Sequence, residues 1–563
     1  MGRDDRSLYA ARRPALLREA AGRLWDLIVI GGGITGAGVA REATLAGLTV
    51  LILEQADFAA GTSSRSTKIF HGGLRYLEHG ELGLVRTGGR ERERMTRLGP
   101  HLVRRVPMML PVYHDSPYGL TTMSGAVWLY DRLAGVSRGD RRRVLDVAAV
   151  HALAPALRQE GLRGAVRYHE MVTDDARTTL TVLRAATAKG AVAVNYARVT
   201  NLLLDHGRVA GVEVLDGEEP AARPYVIHGR QVVNAGGPWA ETVLLMERAD
   251  RAGEPRLLHS RGIHVVVPRV RVPVKEAWSL PTPDHRLAFV IPRADAVYIG
   301  TTDAVYDGPL DEPPVPPDEV DYLLSVTNAY FPSARLREED VVGRWSGVRP
   351  LIRQPGRQSQ DVSRRDEVWV SSAGLVTIAG GKLTAWRQMA EEVIHVLYRE
   401  AGREGRRFPV DEPACRAASR NTPLPGSPEA PESGWEASLT EQLVAQFGME
   451  REVARLLAER YGAEASTVLA LAAEALPAEK MYASSVPGIP LLVGEWPYLL
   501  TREMSVHLSD VVVRRTGLGW FGGPAARSAL PELGAAMAEW MQWDAARTVR
   551  EVAETARAAY WLP

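Results

Sequence analysis

The first strong pattern is a short unbroken apolar run at 27–30, as expected for a parallel strand buried on both faces. It leads directly into Gly31-Gly32-Gly33-Ile34-Thr35-Gly36, with Gly38 following. A helix is predicted over about 36–46 and stopped at Gly47, and 49–53 reads as a second strand that ends at Glu54. Residues 195–199 precede a predicted strand pair. Two further strands end in small-residue turns: 232–237, containing Asn234-Ala235-Gly236-Gly237, and 375–382, reaching Gly381-Lys382. An amphipathic helix is predicted over 384–398. Residues 409–434, rich in Pro, Ser, Glu and Arg, read as a linker. Helical periodicity resumes at 439–447, 450–461, 463–475, 510–515, 531–541 and 543–559.

Strand, glycine turn, helix, strand and terminal acid together make a dinucleotide-binding unit, with Glu54 about twenty residues past the glycines. Gly31 permits the tight turn, Gly33 lets backbone approach a pyrophosphate, and Gly36 allows helix and strand to pack closely. The helix N-terminus at Ile34 and Thr35 offers free N–H groups to phosphates, and Glu54 suits a ribose. Three glycine-ended strands spread over this span predict a discontinuous flavin domain with a substrate domain inserted between its parts.

Composition narrows the function. The 563 residues imply two or three domains, and 45% hydrophobic with 24% charged residues is a globular balance. Lys+Arg and Asp+Glu both total 68, so no bulk field points to nucleic acid. Only five of the basic residues are lysines, and two of them, Lys68 and Lys382, fall inside motifs. Cys415 stands alone, which excludes an intrachain disulfide and a multi-cysteine metal site and fits a reducing cytoplasm. No apolar run approaches the ~18–20 residues needed to span a bilayer, and the first residues carry charges where a signal peptide needs an apolar stretch. Residues 6–25 mix Arg with Leu, Tyr and Trp around Pro14, a surface helix or a segment at a membrane interface.

Residues 61–68 (GTSSRSTK) are dense in hydroxyls and run into Ile69-Phe70-His71-Gly72-Gly73-Leu74-Arg75-Tyr76-Leu77. Here the chain closely resembles the FAD-dependent glycerol-3-phosphate dehydrogenases. The resemblance runs in family order through 57–78, TDDAR at 173–177, NAGGPW at 234–239, RGIH at 261–264 and IGTTD at 299–303. It continues through SGVRPL at 346–351, SRRDEVW at 363–369, IAGGKLT at 378–384 and RRTG at 514–517. Ala385-Trp386 departs from the threonine and tyrosine usual in the family.

The resemblance implies an α/β fold: a Rossmann-like FAD-binding domain of the glutathione-reductase/D-amino-acid-oxidase type, with an inserted α+β substrate domain and a helical C-terminal domain. The expected divisions are an extension at 1–25 and a flavin domain at 26–100, 165–240 and 340–400. A cap at 101–164 and 241–339, a linker at 401–434 and a helical domain at 435–563 complete them. Beyond Gly31, Gly33, Ile34, Thr35, Gly36 and Glu54, expected FAD contacts come from Thr62, Ser63, Ser64, Ser66, Lys68, His71, Gly72 and Gly73. Val199, Ala235, Gly236, Trp239, Gly381, Lys382, Leu383 and Thr384 complete that set.

The implied reaction is oxidation of glycerol 3-phosphate to dihydroxyacetone phosphate, with a membrane quinone as acceptor and a peripheral contact on the inner face of the membrane. The resemblance places Arg75, Tyr76, Arg349, Arg364 and Lys382 around the substrate: Arg349 and Arg364 on the phosphate, Arg75 and Lys382 on the developing carbonyl. A phosphate dianion calls for such cations. His264 is the favoured base and His71 the other candidate, because imidazole titrates near neutrality; the alternative is an arginine-rich pocket that lowers the alcohol's pKa enough for water to take the proton. Lys382, at a helix start, could also face the reduced flavin ring. The C-terminal helices show no catalytic constellation and are assigned packing or homodimer contacts. Competing readings are an oxidase passing electrons to O2, an amino-acid oxidase of related fold, and a flavin-binding protein without turnover.

Overall fold

The apolar run at 27–30 forms the strand Leu24–Ile30. It lies parallel to Val50–Leu53, with Ile30 opposite Leu53, and to Tyr225–Asn234, with Ile30 opposite Asn234. The computed structural model describes residues 8–77, 80–247, 256–284, 286–354, 366–429 and 434–558, without the side chains of Arg75, Tyr76, Ala478 and Glu479. Among the described residues the first sheet has eight strands. Its main path runs Asp366–Val370, Val376–Gly380, Tyr225–Asn234, Leu24–Ile30, Val50–Leu53, Val192–Val194. The antiparallel pair Ala197–Asp205 and Arg208–Asp216 attaches to Tyr225–Asn234.

The three strands that end in glycine turns are adjacent and parallel, so their turns emerge together at the carboxyl edge of the sheet, where α/β folds bind ligands. Gly31 takes φ +110°, and a Cβ there would lie 2.5 Å from the Ala235 carbonyl oxygen. A Cβ on Gly36 would collide with the carbonyl oxygen of Gly31. Helix Ile34–Leu45 is buried between helices Asp175–Thr187 and Trp386–Arg403.

Among the described residues the second sheet has ten strands. Its main path runs Ala304–Val305, Leu257–Pro268, Ala296–Gly300, Leu287–Arg293, Ala277–Pro281, Val103–Tyr113, Leu162–Thr173, Ile69–Phe70. Gly343–Ile352 pairs with Leu257–Pro268, and Arg143–Leu145 with Leu162–Thr173. Ile69–Phe70, Gly343–Ile352 and Leu162–Thr173 therefore belong to the second sheet, although the expected divisions gave 26–100, 165–240 and 340–400 to the flavin domain. Sheet membership is decided by distant pairing partners, which local pattern does not reveal.

Two other expectations change. Within the expected linker, Glu412–Asn421 is a helix, capped by the Asp411 side chain accepting from the Ala414 N–H (2.8 Å), and its own Cys415 is buried on the inner face. The segment around Pro14 is a helix packed on the protein, Arg13–Ala21, with Pro14 in its first turn, a position where the missing N–H costs nothing. That helix turns Leu16, Leu17 and Ala20 into the core of the first sheet. Its buried Arg13 donates to the carbonyls of Asn195 (2.7 Å) and Tyr196 (2.6 Å) and to Asp216 (2.6 Å). The apolar face that a membrane contact would need is thus spent on the protein; residues 1–7 lie outside the described residues.

The C-terminal helices share a hydrophobic core with the second sheet, where Leu518 and Trp520 join Trp345 and Tyr298. The segment 510–515 forms a short π-helix, not an α-helix. Among the described residues no helix is long and apolar enough to cross a membrane, and no group of three His, Cys, Asp or Glu could hold a metal.

Candidate active site

A cavity of about 830 Å³ opens between the two sheets, toward the upper end of the usual size for ligand sites. At one end lie Gly31, Gly33, Ile34, Thr35 and Glu54. The Ile34 N–H donates to Ser63 Oγ (2.9 Å), which ties the hydroxyl-rich segment to the helix start. Burial raises the pKa of Glu54, whose two oxygens accept the N–H groups of Gly32 (2.7 Å) and Ala56 (2.9 Å). A Cβ on Gly33 would approach Ser63 Oγ to 3.1 Å, so any larger residue would crowd the hydroxyl that caps this cradle. A bare backbone turn, a helix N-terminus and an acid suit the phosphate and ribose groups of FAD.

The opposite end is built by alternation along two paired strands. In Leu257–Pro268 and Gly343–Ile352, Ser260 faces Arg349, Gly262 faces Gly347, and His264 faces Trp345. Every second side chain points the same way, so Gly262, His264, Gly347 and Arg349 all line the cavity. Gly262 leaves the space that the Arg349 guanidinium fills. That guanidinium donates to Thr301 Oγ1 (2.8 Å), the Thr302 carbonyl (3.3 Å) and Ser260 Oγ (3.3 Å), with Asp303 at 3.5 Å.

His264 is only 1% exposed. Its ring stacks on Trp345 at 4.8 Å, and Nε2 lies 3.0 Å from Thr67 Oγ1. Burial, reinforced by the positive charges of Arg349 and Lys68, holds its pKa well below 6.5. The imidazole is therefore neutral at physiological pH.

Between the two ends sits the GGK turn. Gly381, Lys382, Leu383 and Thr384 line the cavity, Lys382 at the start of the short turn Leu383–Ala385 that feeds Trp386–Arg403. Thr384 Oγ1 accepts the His71 N–H (3.2 Å) and donates to the His71 carbonyl (3.3 Å), clamping the HGGLRY segment to this turn.

Thr62, Ser63, Ser66, His71, Gly73, Val199, Ala235, Gly236 and Trp239 also line the cavity. Gly36, Ser64, Lys68 and Gly72 do not. Lys68 is buried, its ammonium held by Asp175 (2.5 Å) and the Ser64 carbonyl (2.8 Å); it fixes the backbone of the hydroxyl segment from behind. The Gly72 N–H donates to the Tyr130 hydroxyl (2.9 Å). The side chains of Arg75 and Tyr76, and the whole of Arg364, lie outside the described residues.

Sequence reasoning passed over Thr67, Thr301, Thr302 and Arg286, which line the cavity, and Trp345, which backs His264. The two threonines belong to the IGTTD segment and Thr67 to the hydroxyl run, so their motifs carried the signal. Arg286 lies in no motif; its Nε donates to Asp284 (2.6 Å).

A family model described as FAD dependent oxidoreductase matches residues 26–387, and the C-terminal domain of alpha-glycerophosphate oxidase matches 417–548. An aerobic glycerol-3-phosphate dehydrogenase of Bacillus subtilis is 36% identical over 94% of both chains. One from Staphylococcus aureus is 36% identical over 88% of this chain and 87% of its own. The glycerol-3-phosphate dehydrogenase from Bacillus halodurans, solved with FAD, superposes with a TM-score of 0.78 at 32% identity over 97% of both chains. The L-alpha-glycerophosphate oxidase from Mycoplasma pneumoniae, with FAD bound, gives a TM-score of 0.53 at 16% identity over 67% of this chain and 95% of its own; that likeness is one of fold.

Proposed function

The chain belongs to the FAD-dependent glycerol-3-phosphate dehydrogenase family, and from that premise we propose that it oxidises sn-glycerol 3-phosphate to dihydroxyacetone phosphate and delivers the electrons to a membrane quinone. The observation that carries the reading is the pairing of a neutral, buried His264 with a braced Arg349 on one face of two adjacent strands. When bound, FAD supplies the acceptor for the hydride leaving the secondary carbon.

The chain's own residues do the rest. Arg349 is held in a fixed orientation by Ser260, Thr301 and the Thr302 carbonyl, and a planar fork so held suits phosphate. Arg364 is the second cation proposed for the phosphate, and Arg75, Tyr76 and Lys382 for the carbinol end. His264 takes the hydroxyl proton. Being neutral at pH 7 it is free to accept; the burial and nearby cations that lower its pKa make it a weaker base and a readier donor of the proton afterwards. His71 is the alternative base; it lines the cavity with its backbone locked to Thr384.

Oxygen is the competing acceptor, since the match over 417–548 bears an oxidase's description. Steady-state turnover with glycerol 3-phosphate, a soluble quinone analogue and air separates the two. Quinone reduction without stoichiometric peroxide supports the proposal; rapid peroxide formation with no quinone present assigns the enzyme to oxygen.

A further inference from the structure

The last hydroxyl of the 61–68 run belongs to Thr67, which lines the cavity with its Oγ1 3.0 Å from His264 Nε2. Among the described residues that is the one hydrogen bond this hydroxyl makes. The hydroxyls beside Arg349 are committed: Thr301 Oγ1 accepts from the guanidinium (2.8 Å) and donates to the Thr302 carbonyl (3.1 Å), and Ser260 donates to Asp303. A hydroxyl can donate one hydrogen bond and accept others, so Thr67 keeps capacity for a ligand in the cavity.

The His264 ring is hemmed in elsewhere. Trp345 covers one face, and the ring fills the space over Gly300, where a Cβ would collide with Cδ2 and Nε2. Nδ1 is enclosed and has no hydrogen-bond partner among the described residues. Nε2 is therefore the nitrogen that can exchange a proton with a ligand, and Thr67 stands at it. The turn that presents Thr67 is held from inside. The buried Asp175 carboxylate accepts the Ser66 N–H (3.0 Å), the Ser66 hydroxyl (2.7 Å) and the Lys68 ammonium (2.5 Å). Lys68 takes φ +58°, a left-handed conformation that a non-glycine residue keeps only where its surroundings enforce it. Trp345 Nε1 donates to the Ser66 carbonyl (3.3 Å), so the ring that backs His264 is tied to the same turn.

We propose that Thr67 is a catalytic residue that relays the substrate's hydroxyl proton to His264. The substrate hydroxyl donates to Thr67 Oγ1, which leaves the Thr67 O–H directed at Nε2 and the ring's own proton on Nδ1. As the hydride leaves carbon, the carbon–oxygen bond becomes a carbonyl. The substrate proton then bonds to Thr67 Oγ1, and the proton that Thr67 held bonds to Nε2. Threonine ends as it began, the ring ends as imidazolium, and the electron pair leaves with the hydride. The relay deepens the base assignment made above and rests on it: a ring only 1% exposed reaches the substrate through the hydroxyl at its one reachable nitrogen.

The test is anaerobic stopped-flow bleaching of the holoenzyme by glycerol 3-phosphate in Thr67→Val, Thr67→Ser, His264→Asn and the Thr67→Val/His264→Asn double variant. Valine keeps the shape of threonine and removes the hydroxyl. Thr67→Val should slow bleaching ~10²–10⁴-fold, as loss of a general base does, and Thr67→Ser should restore most of the rate. The double variant should be no slower than the slower single one, because two groups on one proton path are lost together. Wild-type bleaching should also slow in D2O with a curved dependence on deuterium fraction, since two protons move. That measurement needs no variant, so it decides the question even where Thr67→Val loses its flavin; a linear dependence, or none, overturns the relay. Thr67→Val at the wild-type rate beside a slow His264→Asn overturns it too and leaves the base standing. Losses that multiply in the double variant would reduce Thr67 to a prop for the ring. His264→Asn at the wild-type rate removes the base assignment, and the relay with it.

Discussion

Removing the charge of Asp57 should loosen the C-terminal domain from the flavin-binding domain. Asp57 is fully buried and accepts hydrogen bonds from Arg514 Nε, from Arg515 Nη1 and Nη2, and from Asn195 Nδ2 (3.0 Å). Burial alone would raise its pKa, but the guanidiniums of Arg515 and Arg514 outweigh it and bring the carboxyl from an ordinary 3.8 to about 2. At about 1.4 kcal/mol per pH unit, that depression is worth about 2 kcal/mol of stability. The sign follows from the lowered value: the contribution is complete above pH 3.8 and is lost as pH falls toward 2. Asp57→Asn also leaves two buried guanidiniums without their counter-charge, so its cost at pH 7 should reach about 3–5 kcal/mol. Urea unfolding of wild type and variant, followed by tryptophan fluorescence, reads this difference. The gap should narrow by about 1 kcal/mol at pH 3, where the wild-type carboxyl begins to protonate. Because Glu54, Gln55 and Ala56 line the cavity immediately before Asp57, the variant should also release FAD more easily. Equal urea midpoints, or a gap that does not change with pH, would refute the reasoning.

Three further outcomes follow from the same geometry. His264→Asn should lower kcat by ~10²–10⁴-fold, and the acid limb of wild-type kcat/KM should fall well below pH 6.5, because the imidazole there resists protonation. Arg349→Ala should raise the KM for glycerol 3-phosphate by ~10- to 150-fold, the worth of a charge-assisted contact; it should leave the poor reaction with glycerol unchanged, and Arg349→Lys should restore only part. His507 is half-buried, which opposes its charge, but Glu218 and Glu551 hold it on both sides (2.8 Å each) and lift its pKa from 6.5 to about 10. Its contribution to stability is complete below pH 6.5 and lost as pH rises through 10, so His507→Gln should flatten the alkaline fall in thermal midpoint.

The parts of this molecule legible in the sequence are those whose physics is local. The strand at 27–30, its glycine turn and Glu54 lie within one short unit, and each step in it has a steric or hydrogen-bonding reason. The cavity's other end was legible only as motifs. Alternation explains why Gly262 and His264 share a face, but Arg349 joins them through a pairing across more than eighty residues. Lys68 shows the opposite failure: a lone lysine among hydroxyls reads as a ligand for an anion, yet Asp175 claims its ammonium inside the fold. The arginines of RRTG lie far from anything catalytic in the chain, and their partner Asp57 sits at the other end of it. Composition misread 409–434 because a capped helix such as Glu412–Asn421 can be built from residues that also favour linkers.

The central claim is that this cavity joins FAD to glycerol 3-phosphate, and one measurement addresses it directly. Glycerol 3-phosphate is added to the yellow holoenzyme under anaerobic conditions and the visible flavin absorbance is followed by stopped flow. The account predicts rapid bleaching by glycerol 3-phosphate, slow or no bleaching by glycerol, and loss of the rapid phase in His264→Asn. A holoenzyme that stays yellow with glycerol 3-phosphate would contradict it.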